Sequence, residues 1–199
     1  MLLLAIVLIG GYLVYIRWII SNIVEKMTEA TTILIGSAPD EAQQETIAEV
    51  ARAWNEYGDG DHRKLAYILA TLKNENNFRS VQERRCQSGT LCYQYQQKYW
   101  DTGYYGRGLP QLTWKGNYQK MSDVFGIDFV NNPDLVLNPK HGANILVYGM
   151  MNGSFSGKRL SNYINDSGAD YVGARWVVNG QDKATTIAGY AQQIEKTLV

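Results

Sequence analysis

No excess of either charge marks this chain: 19 Lys and Arg balance 19 Asp and Glu, for a formal net charge of zero. Nothing here suits a nucleic-acid backbone, so nucleic acid is not an expected partner. Any attraction to an anionic cell wall has to be local. Histidine and cysteine are scarce, with two of each. His62 and His141 lie far apart in the chain and do not form a zinc-ligand spacing with Cys86 and Cys92, so neither a metal nor a cofactor is expected. The two cysteines can close a small loop in an oxidising compartment or stay free thiols, and the sequence leaves both open. Internal repeats and low-complexity tracts are absent too.

What is present begins with a long apolar run. Met1 to Val24 is apolar apart from Arg17, Ser21 and Asn22. At about 1.5 Å per residue, twenty helical residues span a bilayer core. Tyr12, Tyr15 and Trp18 suit an interfacial belt. This predicts a single-pass transmembrane anchor over residues 1–26, with a lipid membrane as partner through residues 1–24. A cleaved signal peptide is the rival, but no basic stretch precedes the run and no clear cleavage site follows it. A buried core helix is the third option. Residues 27–38 read as a linker, and residues 39–199 as one domain, long enough to bury a core.

Within that domain the pattern is mainly helical. A helix starts after Pro39-Asp40, buries Ile47, Val50, Ala51 and Trp54, and stops at Gly58. A second, from about Lys64, buries Leu65, Ile68, Leu69 and Leu72. Phe78 to Pro110 lacks periodicity and is rich in Tyr and Trp, the mark of a functional loop. Short helices follow: Asn117 to Phe125, one capped by Asn138-Pro139, pieces near Leu160–Ile164 and Ala169–Val177, and a last one over Lys183–Leu198. The expected fold is mainly α: a lysozyme-like α+β helical domain of two lobes, the smaller one loop or β, behind the transmembrane helix.

The chemistry gathers at the end of the second helix. Glu75 lies where an apolar helix runs out into Asn76-Asn77, and Glu83 follows on the loop eight residues later. Two carboxylates set on a helix end and the next loop can face each other over a cleft and cleave a glycosidic bond by acid/base catalysis. An apolar surround for Glu75 would keep it protonated for that task.

The stretch Tyr104 to Tyr118, YYGRGLPQLTWKGNY, resembles the signature of family 19 glycoside hydrolases, the chitinases and related phage endolysins. The likeness runs from Leu65 to the end, through AYILATLKNENNFRSVQE, NPDLVLNPKHGANILVYGMMNGSFSGKRL and ARWVVNGQDKATTIAGYA. The resemblance implies Glu75 as general acid, Glu83 as general base and Thr113 as the hydroxyl that helps hold the attacking water. It also implies Gln111, Asn117, Tyr105, Trp114 and Asn179 as sugar-binding residues. Inversion at the anomeric carbon is implied, with carboxyls about 6.5–9.5 Å apart. Arg107 and its flanking glycines are expected to be structural, the Arg holding the loop through a carboxylate. The family commonly carries His before the acid and Thr after it; here these are Asn74 and Asn76. Position 116 is Gly where many relatives have an aromatic. The implied substrate is a β-1,4-linked aminosugar polymer, peptidoglycan or chitin. With the anchor, this predicts a membrane-bound peptidoglycan hydrolase facing the wall, a phage endolysin or virion enzyme. A chitinase and an inactive wall-binding membrane protein are the alternatives.

Overall fold

A computed structural model describes residues 20–199. Residues 20–35 are helical (α1) and are followed by α2 (Glu41–Tyr57), α3 (His62–Asn76), α4 (Leu91–Gln96), α5 (Lys115–Phe125), α6 (Pro139–Asn152) and α7 (Ala184–Leu198). Short 3-10 turns stand at Trp100–Thr102, Pro133–Leu137, Leu160–Asn162 and Gly173–Val177. The sheet is one antiparallel pair of two-residue strands, β1 (Ile164–Asn165) and β2 (Gly168–Ala169), in which Ile164 pairs with Ala169. Only isolated bridges, Gln82 to Arg107 and Arg107 to Leu112, join the long loop.

The helices begin and end where local chemistry dictates. Asp40 caps α2 by accepting from the Gln43 amide, while the Gln43 side chain answers the Asp40 amide, a reciprocal cap. Asn138 caps α6, and Pro139 occupies the first turn, where its missing N–H costs nothing. Gly126 and Gly153 end α5 and α6 in the left-handed conformation that glycine adopts freely. Helix α2 packs along α6 and α3 along α7. Their apolar faces form one core with Ile47, Val50, Ile68, Leu69, Leu146 and Ile187. A smaller cluster of Leu112, Tyr118, Met121, Phe129, Val136 and Ile145 sits under α5.

Two expectations are corrected here. The α+β, two-lobed part of that expectation is replaced, among the described residues, by helices with one two-stranded pair as the whole sheet. Residues 78–114 lack the alternation that makes strands, and side chain to main chain bonds order them instead. Nor is a transmembrane anchor supported: among the described residues no helix is long and apolar enough to cross a membrane. The anchor over residues 1–26 lies, for residues 1–19, outside the described residues. The rest belongs to α1, which carries Glu25, Lys26 and Glu29 and packs on the domain. Met27 and Ala30 are buried in the main core, with Ile23 and Val24 against it. Lys26 Nζ donates to the carbonyls of Leu198 and Val199 at 3.3 and 3.0 Å. The membrane localisation and the lipid partner lose their support with it. The stretch expected as a linker, 27–38, is helical as far as residue 35.

Candidate active site

Glu75 occupies the last turn of α3. That helix is buried on every side over Lys64 to Leu72 and stops because Asn77 and Phe78 both turn left-handed, at φ 51° and 62°. Asn76 anchors the stop by donating to the Leu109 carbonyl at 2.9 Å. Glu75 is not enclosed by apolar groups as expected: its side chain keeps 27 % exposure. Its neighbour is Arg175, 2 % exposed, whose Nη1 lies 2.8 Å from Glu75 Oε1. The alignment is not that of a hydrogen bond, and Nη1 has no other partner. The contact is therefore one of charge with charge. The guanidinium is fixed from the other side, where Nε donates to the Asp182 carbonyl at 3.0 Å.

Glu83 is held differently. Its Oε1 accepts from Tyr99 Oη at 2.7 Å and from Gln96 Nε2 at 2.8 Å, and its Oε2 accepts from the Gly106 amide at 2.9 Å. Burial, and then the Glu83 carboxylate beside it, push the Tyr99 hydroxyl well above the usual phenol range, so Tyr99 stays a donor. Each carboxylate oxygen can accept twice. Oε1 is fully committed, and Oε2 keeps one position.

A groove of about 270 Å³ is lined by Gln111, Thr113, Trp114, Asn117, Phe155 and Asn179, among others. Four of the five expected sugar-binding residues thus meet in one place, together with Thr113. Thr113 Oγ1 donates to the Gln111 carbonyl at 3.0 Å and keeps its acceptor face. Asn117 Nδ2 donates to the Thr113 carbonyl at 2.8 Å. Gln111 spends both amide protons on the Val81 and Gly108 carbonyls, at 2.8 and 2.9 Å. Trp114 is 41 % exposed and packs edge-on to Tyr99. Gln111 and Trp114 hold left-handed φ values of 49° and 74°, a strain on the order of 1 kcal/mol each.

Neither Glu75 nor Glu83 lines this groove itself, but each neighbours a residue linked to it. Glu83 Oε2 and Gln111 Oε1 lie 3.2 and 3.0 Å from where a Cβ on Gly106 would stand. Arg175, beside Glu75, accepts the Asn179 amide on its carbonyl at 3.1 Å. Tyr105 does not line the groove. Its ring stacks on Trp100 at 4.4 Å and under the Arg107 guanidinium at 3.8 Å. Arg107 is structural, as expected: Nε donates to Asp134 at 2.7 Å, and Nη1 donates to the Gly103 carbonyl at 2.8 Å and Tyr118 Oη at 3.2 Å. A second cavity, of about 250 Å³, lies among Ile23, Trp54, His62, Leu65 and Leu198 and contains none of these residues.

Arg175, Gln96 and Tyr99 escaped the sequence reading. Arg175 had a signal: a lone cation between Ala174 and Val177, both buried in the structure, needs a partner. Gln96, inside Tyr-Gln-Tyr-Gln, had none.

The family described as chitinase class I matches residues 66–188. Among individual proteins, an acidic 27 kDa endochitinase of Solanum lycopersicum is 35 % identical over 81 residues, 40 % of this chain and 33 % of that protein. Endochitinase A2 of Pisum sativum is 52 % identical over 93 residues, 46 % of this chain and 25 % of its own length. Inactive chitinase-like protein 1 of Hevea brasiliensis is 54 % identical over 33 residues, 17 % of this chain and 10 % of its own length. The chain spans a third or less of the length of each of these relatives.

Proposed function

The chain belongs to glycoside hydrolase family 19, the chitinase class I family, and on that premise we propose that it cleaves β-1,4 bonds of chitin with Glu75 as acid and Glu83 as base. The observation that carries this is the unequal setting of the two carboxylates. Glu83 has three donors aimed at it, so it is held as an acceptor and has one position left on Oε2. Among the described residues Glu75 has no hydrogen-bond donor closer than Asn74 Nδ2, at 3.4 Å on Oε1; Oε1 also faces the Arg175 guanidinium at 2.8 Å, which leaves Oε2 as the oxygen open to the glycosidic oxygen.

In the proposed step, Glu75 passes its proton to the leaving glycosidic oxygen as the bond to the anomeric carbon breaks. The charge that grows on its carboxylate is met by the fixed guanidinium of Arg175. A water on the opposite face of the sugar donates one proton to the free position of Glu83 Oε2 and one hydrogen bond to Thr113 Oγ1. Its oxygen bonds to the anomeric carbon from the side away from the leaving group, which inverts it. Glu83 then returns its proton to solvent, and Glu75 regains one. Trp114 offers an exposed ring face for stacking, and Asn117 and Asn179 offer amides to the acetamido and hydroxyl groups.

Chitin is preferred to peptidoglycan because the similar proteins are named as endochitinases. The test incubates the full chain with colloidal chitin and, separately, with purified peptidoglycan, and weighs the soluble products by mass spectrometry. N-acetylglucosamine oligomers from chitin alone support the proposal. Muropeptide-bearing fragments from peptidoglycan alone replace chitin as substrate. No product from either overturns the proposal and favours an inactive protein, as the Hevea brasiliensis relative is named.

A further inference from the structure

Gln96 is 2 % exposed although it sits on the six-residue helix α4, and both its amide nitrogen and its amide oxygen are engaged. Its Nε2 donates to Glu83 Oε1 and to the Arg84 carbonyl at 2.8 and 2.9 Å, and its Oε1 accepts from the Cys86 amide at 2.7 Å. One amide therefore ties the carboxylate to the first residue of a disulfide, Cys86–Cys92, whose Cα atoms are 5.9 Å apart. Cys92 lies in the first turn of α4, one turn before Gln96. Tyr99, the second donor on Oε1, follows three residues later. Neither apolar core cluster includes any residue from Gln82 to Gly103. The two ends of this segment are tied by the Gln82–Arg107 bridge, the Glu83 amide on the Gly106 carbonyl and Arg107 on the Gly103 carbonyl; between them the disulfide, the Gln96 bridge, the packing of Tyr99 against Trp114 and a ring stack are the main ties.

We infer that Gln96 is a positioning residue for Glu83 and that the Cys86–Cys92 disulfide keeps it in place, so turnover is conditional on the disulfide. This rests on the role proposed for Glu83. With the disulfide closed, α4 and the turn after it present Gln96 and Tyr99 to the same oxygen, which leaves Oε2 as the acceptor for water. With it open, α4 has no covalent or core attachment near Gln96. Glu83 can then rotate, and the free acceptor position no longer points one way. The groove residues Gln111, Thr113, Trp114, Asn117 and Asn179 lie outside the 86–92 loop, so sugar binding persists.

The experiment measures kcat and KM on a chitin hexasaccharide, and hexasaccharide binding by calorimetry, for four preparations of the full chain. These are the oxidised protein, the protein reduced with dithiothreitol, Gln96→Ala and the double variant Cys86→Ser/Cys92→Ser. Reduction moves two electrons and two protons from the dithiol to the two sulfurs, giving two thiols and the cyclic disulfide of the reagent. A displacement of the base by about 1 Å costs on the order of 100-fold. The expected result is a kcat lower by about 10- to 100-fold in the last three preparations, with binding within about twofold of the oxidised protein. Reoxidation restores the reduced sample, and dithiothreitol has no effect on the double variant. Retained binding also shows that the variants are folded. Turnover within twofold of the oxidised protein after reduction or in Gln96→Ala overturns this inference alone. Loss of binding together with kcat overturns it in favour of a merely structural loop. No turnover by the oxidised protein overturns the proposed function and this inference with it.

Discussion

Gly106→Ala separates catalysis from stability within a single methyl group. The backbone at Gly106 is not left-handed, so alanine meets no conformational penalty there. The added Cβ would come within 3.0 Å of Gln111 Oε1, 3.2 Å of Glu83 Oε2 and 3.3 Å of Glu83 Cβ. Two of these contacts are with the oxygens of flexible side chains, which can yield by a few tenths of an ångström. Removing glycine's freedom from the unfolded chain gains about 0.4–1 kcal/mol, which offsets a strain of similar size. Stability should stay within about 1 kcal/mol, or about 4 °C in Tm for a domain of this size. Catalysis should not be spared, because the methyl crowds the one free position of Oε2. A kcat loss of about 100-fold, or about 2.7 kcal/mol in the barrier, is expected. Gly108→Ala is the control. Its φ is +70° and the Cβ would stand 2.2 Å from the Val136 carbonyl oxygen. A left-handed alanine plus an overpacked backbone contact costs about 2–5 kcal/mol, so Tm should fall sharply. Thermal melts and chitin hexasaccharide kinetics on both variants decide the matter. Wild-type kcat in Gly106→Ala, or a Tm loss as large as that of Gly108→Ala, refutes the reasoning.

Three further outcomes follow from other parts of the molecule. Arg175→Met removes the guanidinium that meets charge on Glu75 and should lower kcat by about 10- to 100-fold with KM little changed; steady-state kinetics at full turnover check this, and an unchanged kcat counts against the pair. Met27→Ala should cost about 2–5 kcal/mol and lower Tm by roughly 5–15 °C, because Met27 is fully buried in the main core; a neutral substitution means that α1 is not part of the domain. Burial, with Lys140 second, holds His141 below its ordinary 6.5. The unfolded chain therefore takes up this proton first, so the His141 contribution is complete above pH 6.5 and lost as pH falls below it. His141→Gln should flatten the fall of Tm between pH 7 and pH 5, as followed by calorimetry.

How much of this was legible depends on the residue. The helix over Glu41–Tyr57 could be read to within two residues, because Asp40, the Ile47–Trp54 stripe and Gly58 are local signals. Glu75, Glu83, Thr113 and the groove residues could be named from the motif. Gln96 could not, since its burial is set by a disulfide and a carboxylate thirteen residues away. Tyr105 misled because exposed aromatics suit sugars, whereas this ring is taken up by Trp100 and Arg107. The apolar Met1 to Val24 run suggested an anchor, but apolarity does not tell a lipid neighbour from a protein one. From Ile23 onward the neighbour is the domain's own core. The expected apolar surround of Glu75 failed for a similar reason, because Arg175 arrives from a turn a hundred residues away.

The central claim is that Glu75 gives the proton and Glu83 takes it from water. The most direct measurement is proton NMR of the reducing ends released from a chitin hexasaccharide in the first minutes, by the full chain and by Glu75→Gln. The account predicts α-anomers from the unaltered chain and no product above background from the variant. β-Anomers as the first product, or equal release by Glu75→Gln, would contradict it.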